Sequence, residues 1–456
     1  MEETLTHATG TTSRICLGTL MGLAIMTQGA AGAPAGPAKG PLRVHPENPR
    51  YFTDGTKIPD GSWKAIYLTG SHTWNNLQHN GVYPPVDYEE YLDFLEKHHH
   101  NFIRMWAWEQ GGWDPWAAGH VIVEPVPYAR VGAGNRGEPD ARRPFGPRPP
   151  LRVEGVPPSD RGPAAPDTRG RDARATALDG KPRYDLTKFN EEYFARLRSR
   201  VAAAQQRGIY VSVMLFQGWS VEKKGQVGNP WQGHPFNKAN NINGIDGDLN
   251  GDGQGPEIHT LKAPPAILEL QKAYVRQVID TVNDLDNVLY EIGNEMHVGS
   301  VPWQYRPWVW KSFTRGLNTA FMDLYGATRI GDKDVNTFGF VGDWVAQHDT
   351  VRKNMGYTRL LAERMNLATM APHNDLASTQ YCLAHPGHEY LIYLPDGGEV
   401  TVDVSAVQGT LAVEWFNPRS GAVARGENAS GGANRSFLSP LAHDAVLYLK
   451  AQEGDR

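Results

Sequence analysis

The stretch Asn287-Val-Leu-Tyr-Glu-Ile-Gly-Asn-Glu295 decides how the chain is read. It reads as a buried parallel strand whose C-terminal tip delivers an amide, Asn294, and a carboxylate, Glu295, side by side. A carboxyl group just beyond a hydrophobic strand can stay protonatable in a partly apolar pocket while the neighbouring amide holds a hydroxyl. That pair suits general acid/base work. The plainer reading of Glu295 is a capping carboxylate on the following helix, and an isolated Asn-Glu dipeptide does not exclude it.

Working outward, similar apolar runs occur at 65–70, 102–108 and 209–216, separated by helical patterns such as 191–207 and 266–285. Asp87 followed by Glu90 forms a capping box ahead of Tyr88, Tyr91, Leu92 and Leu95 at helical spacing. That helix closes on His98, His99 and His100, expected as a solvated last turn at the face opposite the strand tips. Strands that do not alternate, spaced by helices, indicate a parallel sheet covered by helices. A barrel is favoured over a doubly wound sheet, because candidate functional side chains follow every strand and no glycine-rich phosphate loop follows the first.

The expected fold is α/β, a (β/α)8 TIM-barrel-like domain over 42–372, incomplete, followed by a small antiparallel β-sandwich over 373–456. Short alternating strands at 378–383, 389–393, 400–404, 411–416 and 445–449 carry the second assignment. Residues 42–63, with turn pairs at Asp54-Gly and Asp60-Gly, read as a β lid on the barrel floor.

At 456 residues there is room for both domains, and a formal net charge of -5 argues against nucleic acid or an anionic membrane as the main partner. Thirteen Trp and eighteen Tyr fit stacking on sugar rings. Residues 1–35 read as a signal peptide, with Arg14, an apolar run at 15–26 and the exit Ala31-Gly-Ala-Pro-Ala35, so a secreted or periplasmic protein is expected, with no membrane contact after signal removal. A linker spans 36–41. If Cys16 leaves with the signal, Cys382 is alone and behaves as a small buried hydrophobe.

Two insertions follow the second and third strands. The first is rich in Pro, Arg and Gly, and its middle, 131–178, is expected to be disordered. The second, 217–263, contains Asp246-Gly-Asp-Leu-Asn-Gly-Asp-Gly-Gln-Gly-Pro-Glu257, which fits a calcium-loop template with Asp246, Asp248, Asn250, Asp252 and Glu257 as ligands and Gly251 at the sharp turn. No helix pair flanks this loop, and an ordinary acidic turn is the alternative.

Asn287 to Glu295 resembles the fourth-strand motif of clan A glycoside hydrolases. Tyr67-Leu-Thr-Gly-Ser-His-Thr-Trp-Asn75, Asn101-Phe-Ile-Arg-Met-Trp106, Gly208-Ile-Tyr-Val-Ser-Val-Met-Leu-Phe216, Trp310-Lys-Ser-Phe-Thr-Arg-Gly316 and residues 377–395 resemble secreted bacterial apiosidase-like hydrolases with a C-terminal domain named for collagen binding. The resemblance implies a polysaccharide substrate, Glu295 as general acid/base with Asn294 beside it, and Arg104 under the nucleophile. His72, Trp74, Trp106, Trp108, Trp219 and His297 fall at strand tips, where sugar contacts belong, although each could equally be packing.

A retaining enzyme needs a second carboxylate about 5 Å from the first, which the family carries on strand seven. Only 28 residues lead from Glu295 to Asp323, and one βα unit takes roughly 30. Relative to the family, strands five to seven are missing, with the junction near Tyr305-Arg306. Asp323 is the expected substitute, ahead of Glu109 and Asp343. The alternative is a binding protein that has lost catalysis.

Overall fold

The computed structural model describes residues 36–79, 85–113, 121–131, 176–224, 228–260, 263–294, 306–323, 328–330, 333–335, 341–342 and 344–452. Residues 1–35, expected as a signal peptide, most of 131–178, Glu295, His297, Asp343, and Tyr305 at the expected junction lie outside the described residues.

Among the described residues, five parallel strands form the first layer: β1 (Gly70–His72), β2 (Phe102–Met105), β3 (Tyr210–Gln217), β4 (Val288–Asn294) and β5 (Ala320–Met322). β4, β3 and β2 are hydrogen-bonded in that order, and β1 pairs with β5. Between the two groups, side chains and isolated bonds replace a ladder: Asn101 accepts the Thr69 amide through Oδ1 at 3.0 Å, and Asn76 accepts the Trp106 amide at 2.8 Å. A Cβ at Gly70 would lie 1.9 Å from the Phe102 carbonyl oxygen, so only glycine permits this approach. The strand order is therefore β4-β3-β2-β1-β5, a mixed α/β layer. No closed barrel forms among the described residues.

Helices cover the strands for reasons visible in their ends. α1 (Tyr88–Lys97) starts where Asp87 accepts the Glu90 amide at 3.1 Å, and α2 (Glu191–Gln206) where Asn190 accepts that of Glu192 at 3.1 Å. α3 (Pro265–Val282) opens on proline, which lacks a first-turn donor to leave unpaired. Their buried faces, among them Leu92, Leu95, Leu197, Val201, Val278 and Val282, join Ile103, Met105, Val211 and Val213 in one core. Each such aliphatic side chain contributes roughly 1.5–3 kcal/mol by burial.

The two edges differ. On β4, Tyr290 is 38% and Ile292 77% exposed, against the expectation of a buried strand. Residues 290 and 292 share one face of this strand, and that face stays open to solvent. On the other edge, α5 (Trp344–Arg364) packs over β1 and β5.

The histidine run at the end of α1 also departs from expectation. His99 takes φ 55°, and the His99 and His100 amides bond back to Glu96 and Leu95 at 2.9 Å, a Schellman closure with histidine where glycine is usual. His98 and His100 are buried, not solvated. His100 lies between Ser71 Oγ at 3.2 Å and the Arg352 carbonyl at 3.1 Å, because α5 comes so near that a Cβ on Gly356 would meet the His98 carbonyl oxygen at 2.0 Å.

The C-terminal part is antiparallel: β6 (Cys382–His385), β7 (Glu389–Leu394), β8 (Glu399–Asp403), β9 (Thr410–Phe416), β10 (Asn434–Leu438) and β11 (Ala445–Ala451). β6, β7, β11 and β9 lie side by side, and β8 pairs with β10. One face packs inward through Ile392, Val400, Val402, Leu411 and Leu447, with Cys382 buried among them. The other face, Leu383, Leu391, Tyr393, Phe416 and Val446, meets Trp310 and Phe313 of α4 (Arg306–Phe313) and Leu361 and Met365 of α5. Arg306 donates to buried Asp444 at 2.8 Å across that seam.

Candidate functional site

At the C-terminal ends of β2, β3 and β4 the chain gathers a connected polar group. Register aligns Arg104 with Ser212, and Ser212 with Leu289, so Arg104 and Glu291 share a sheet face. Arg104 clasps Glu291 with two nitrogens, Nε at 2.7 Å from Oε2 and Nη2 on Oε1. The same Nη2 donates to Asn294 Oδ1 at 3.1 Å, and Asn294 Nδ2 donates to Gln217 Oε1 at 3.0 Å. About a fifth of the Arg104 and Glu291 side chains stays exposed.

Aromatic rings run beside this group as a continuous belt. His72 stacks on Trp106 at 5.3 Å, Trp106 meets Trp74 at 6.4 Å and Trp108 at 5.7 Å, and Trp108 meets Trp219 edge-on at 5.3 Å. The Arg104 guanidinium lies 5.1 Å from the Trp106 ring centre. Trp106 and Trp108 are buried, whereas Trp74 and Trp219 at the two ends are half-buried and open to solvent. Neither His72 ring nitrogen, nor Trp106 Nε1, has a hydrogen-bond partner among the described residues. Burial, with the Arg104 charge adding to it against Asp323, pulls the His72 pKa down to about 3 and keeps the ring neutral.

A second polar centre lies one step along the strand tips. Glu109 accepts from His234 Nε2 at 3.1 Å and His259 Nε2 at 3.0 Å, and from the backbone amide of Gln217. His234 Nδ1 accepts the Phe236 amide at 3.1 Å, which fixes its proton on Nε2. Burial alone would raise the Glu109 carboxyl, but the two imidazoles hold it well below the usual carboxylate range. A cavity of about 20 Å³, lined by Glu109, Tyr128, Phe216, His234 and Tyr274, adjoins it. A larger cavity, about 790 Å³, lies at the opposite strand ends beside Lys39, Asp54, His99 and Arg359, and another, about 610 Å³, lies beside Asn229, Trp231, Asp246 and Asp248 of the long loop.

Asp323 follows β5 but is not an open partner for a strand-tip acid. It is 1% exposed and takes two donors from Arg352, at 2.7 and 2.6 Å, with His348 Nδ1 at 3.7 Å. Burial pushes its carboxyl up, and these partners hold it below its ordinary value. Arg104, expected beneath a strand-seven nucleophile, is occupied by Glu291 instead.

In the loop read as a calcium site, Gly251 turns with φ 77° and Asn250 Nδ2 meets Glu257 Oε1 at 2.8 Å, so its ends do come together. The carboxylates, however, serve the loop's own backbone: Asp248 accepts from the amides of Gly251, Asp252 and Gly253, and Asp246 from that of Asp248. No three His, Cys, Asp or Glu side chains converge on a metal-sized point among the described residues.

Sequence reasoning missed Glu291, Gln217, His234 and His259. Glu291 had a signal, a single charge inside an otherwise uncharged strand, which needs a partner. His234 and His259 had none, since only the fold of the long loop brings them to Glu109.

Two family descriptions match parts of the chain: "Domain of unknown function (DUF6298)" over residues 166–306 and "Putative collagen-binding domain of a collagenase" over residues 369–450. No curated protein matches. Among solved structures, a glycoside hydrolase family 5 protein from Bacteroides vulgatus is similar at 14% identity and a TM-score of 0.47, covering 91% of this chain and 93% of its own. A second glycoside hydrolase is similar at 14% identity and a TM-score of 0.46, covering 91% and 98%. A noncanonic maltogenic α-amylase from Thermotoga neapolitana follows at 11% identity and a TM-score of 0.34, covering 85% and 99%.

Proposed function

We propose that this chain is a secreted carbohydrate-binding protein derived from a clan A, apiosidase-like glycoside hydrolase that has lost strands five to seven. The aromatic belt carries the reading. Trp74 and Trp219 offer half-open rings in a belt that meets the Arg104–Glu291–Asn294 group at Trp106, the combination of stacking surface and charged hydrogen-bonding groups that a pyranose chain requires. Each strand-tip carboxylate among the described residues, Glu109, Glu291 and Asp323, is already ion-paired, which favours binding over two-carboxylate hydrolysis.

Native gels cast with xylan, pectin or β-glucan test this. Retardation of the wild type by one of them, lost in Trp74→Ala with Trp219→Ala and without release of reducing sugar, is expected. Reducing sugar released by the wild type and abolished in Glu295→Gln would instead establish the hydrolase, with Glu295 as acid/base. The C-terminal sandwich, whose broad face is packed on α4 and α5, acts in this reading as a structural cap more than as a collagen binder. Calcium on residues 246–257 is proposed as a structural ion supported by the ligand spacing and the turn at Gly251. Expected is a rise in Tm with added Ca2+, absent in Asp248→Asn.

A further inference from the structure

We infer that Glu109 is the positioning residue of the strand-tip site, a clamp that fixes the long loop after β3 and through it sets Gln217 and Asn294. The inference rests on the strand-tip site being the ligand site, as proposed above.

The geometry is a chain of contacts with one acceptor at its root. Glu109 follows β2. His234 follows a single helical turn at Pro230–Gly233, and His259 ends another at Pro256–His259, so one carboxylate ties these two turns to the sheet. Its third donor is the backbone amide of Gln217, the last residue of β3. That bond sets the conformation from which the Gln217 side chain accepts both the Trp219 amide at 3.2 Å and Asn294 Nδ2 at 3.0 Å. Asn294 Oδ1 in turn takes Arg104. Trp219, an outer ring of the belt, and Asn294 thus share one acceptor, the Gln217 amide oxygen, which Glu109 holds from behind. With three donors satisfied, Glu109 has little capacity left for a ligand. Its role is exerted through Gln217.

The test uses the full chain with selective 15N-asparagine labelling. Glu109→Gln keeps the shape but presents an amide NH2 to donors that need an acceptor. Expected are a shift of the Asn294 side-chain amide resonances, loss of near-ultraviolet circular dichroism from the Trp108–Trp219 pair, and about tenfold weaker retardation by whichever of xylan, pectin or β-glucan the wild type binds, the worth of one hydrogen bond. Gln217→Leu, which leaves the Glu109–histidine contacts in place, gives the Asn294 shift for loss of the acceptor itself, and Glu109→Asp, which keeps the charge but draws it back from the Gln217 amide, should move the same resonances, so the proposal stays testable if Glu109→Gln does not fold. Unchanged Asn294 and Trp signals in either folded Glu109 variant overturn it. Shifts without any polysaccharide retardation of the wild type keep the positioning chain and sink the carbohydrate reading.

Discussion

The two edges of the parallel layer hold the same chemical pair in different surroundings. On the β5 edge, Asp323 and Arg352 are 0% and 2% exposed at their side chains and seal α5 onto β1 and β5; on the β4 edge, Glu291 and Arg104 are 23% and 20% exposed. A bidentate arginine–carboxylate contact is therefore a seam in one place and part of an open face in the other. Burial decides which. Removing one partner of the buried pair leaves an uncompensated charge, so Arg352→Met should cost about 3–5 kcal/mol in urea unfolding. Combining it with Asp323→Leu should recover much of that loss. If the double variant is no better than the single, the seam is held by packing and the comparison fails.

Acid tests the covered edge in another way. His72 and His100 are both pulled down to about 3 by burial, so above pH 6.5 they are neutral in folded and unfolded chains alike. Below that, only the unfolded chain takes up their protons, and stability falls as pH drops from 6.5 toward 3, by about 1.4 kcal/mol per unit for each ring. Asp323, held below its ordinary value, keeps its charge through most of this window. Chemical denaturation at pH 7, 6 and 5 should show the slope, and His100→Gln should lessen it by about the share of one ring, ~1.4 kcal/mol per unit.

On the open edge, Arg104→Met should cost less, about 1–2 kcal/mol, because water reaches the abandoned carboxylate. Its larger effect should fall on the ligand, as loss of retardation by the bound polysaccharide. A stability loss equal to that of Arg352→Met would mean that the β4 pair is a seam as well.

How much of this could be read from the residues depended on whether the signal was local. The strand starts, the Asp87 cap and the alternation at 389–393 are written in neighbouring residues, and so were the strand-tip aromatics at 74, 106, 108 and 219. The partner of Arg104 was not, because the resemblance placed that arginine beneath a nucleophile on a later strand, whereas Glu291, its partner, lies within residues 287–295 themselves. His98 and His100 looked like a polar helix end, since nothing nearby announces that Gly356, more than 250 residues later, lets a helix press against them. The Asp246–Glu257 spacing describes where ligands fall along a chain, and carboxylates at that spacing can equally accept the amides of their own turn, as Asp248 does.

The smallest expected effect is at Ile292. Parallel strands are normally covered on both faces, and a 77% exposed isoleucine on an edge strand has little burial to lose. Ile292→Lys should therefore change unfolding free energy by no more than about 0.5 kcal/mol, where Leu447→Ala in the sandwich core should cost about 2–5. A lysine on an open edge also discourages further strand pairing, so the variant should be at least as soluble as the parent. A loss at Ile292 approaching that at Leu447 would mean that something covers β4 in solution, and the contrast between the two edges would then be one of visibility, not of packing.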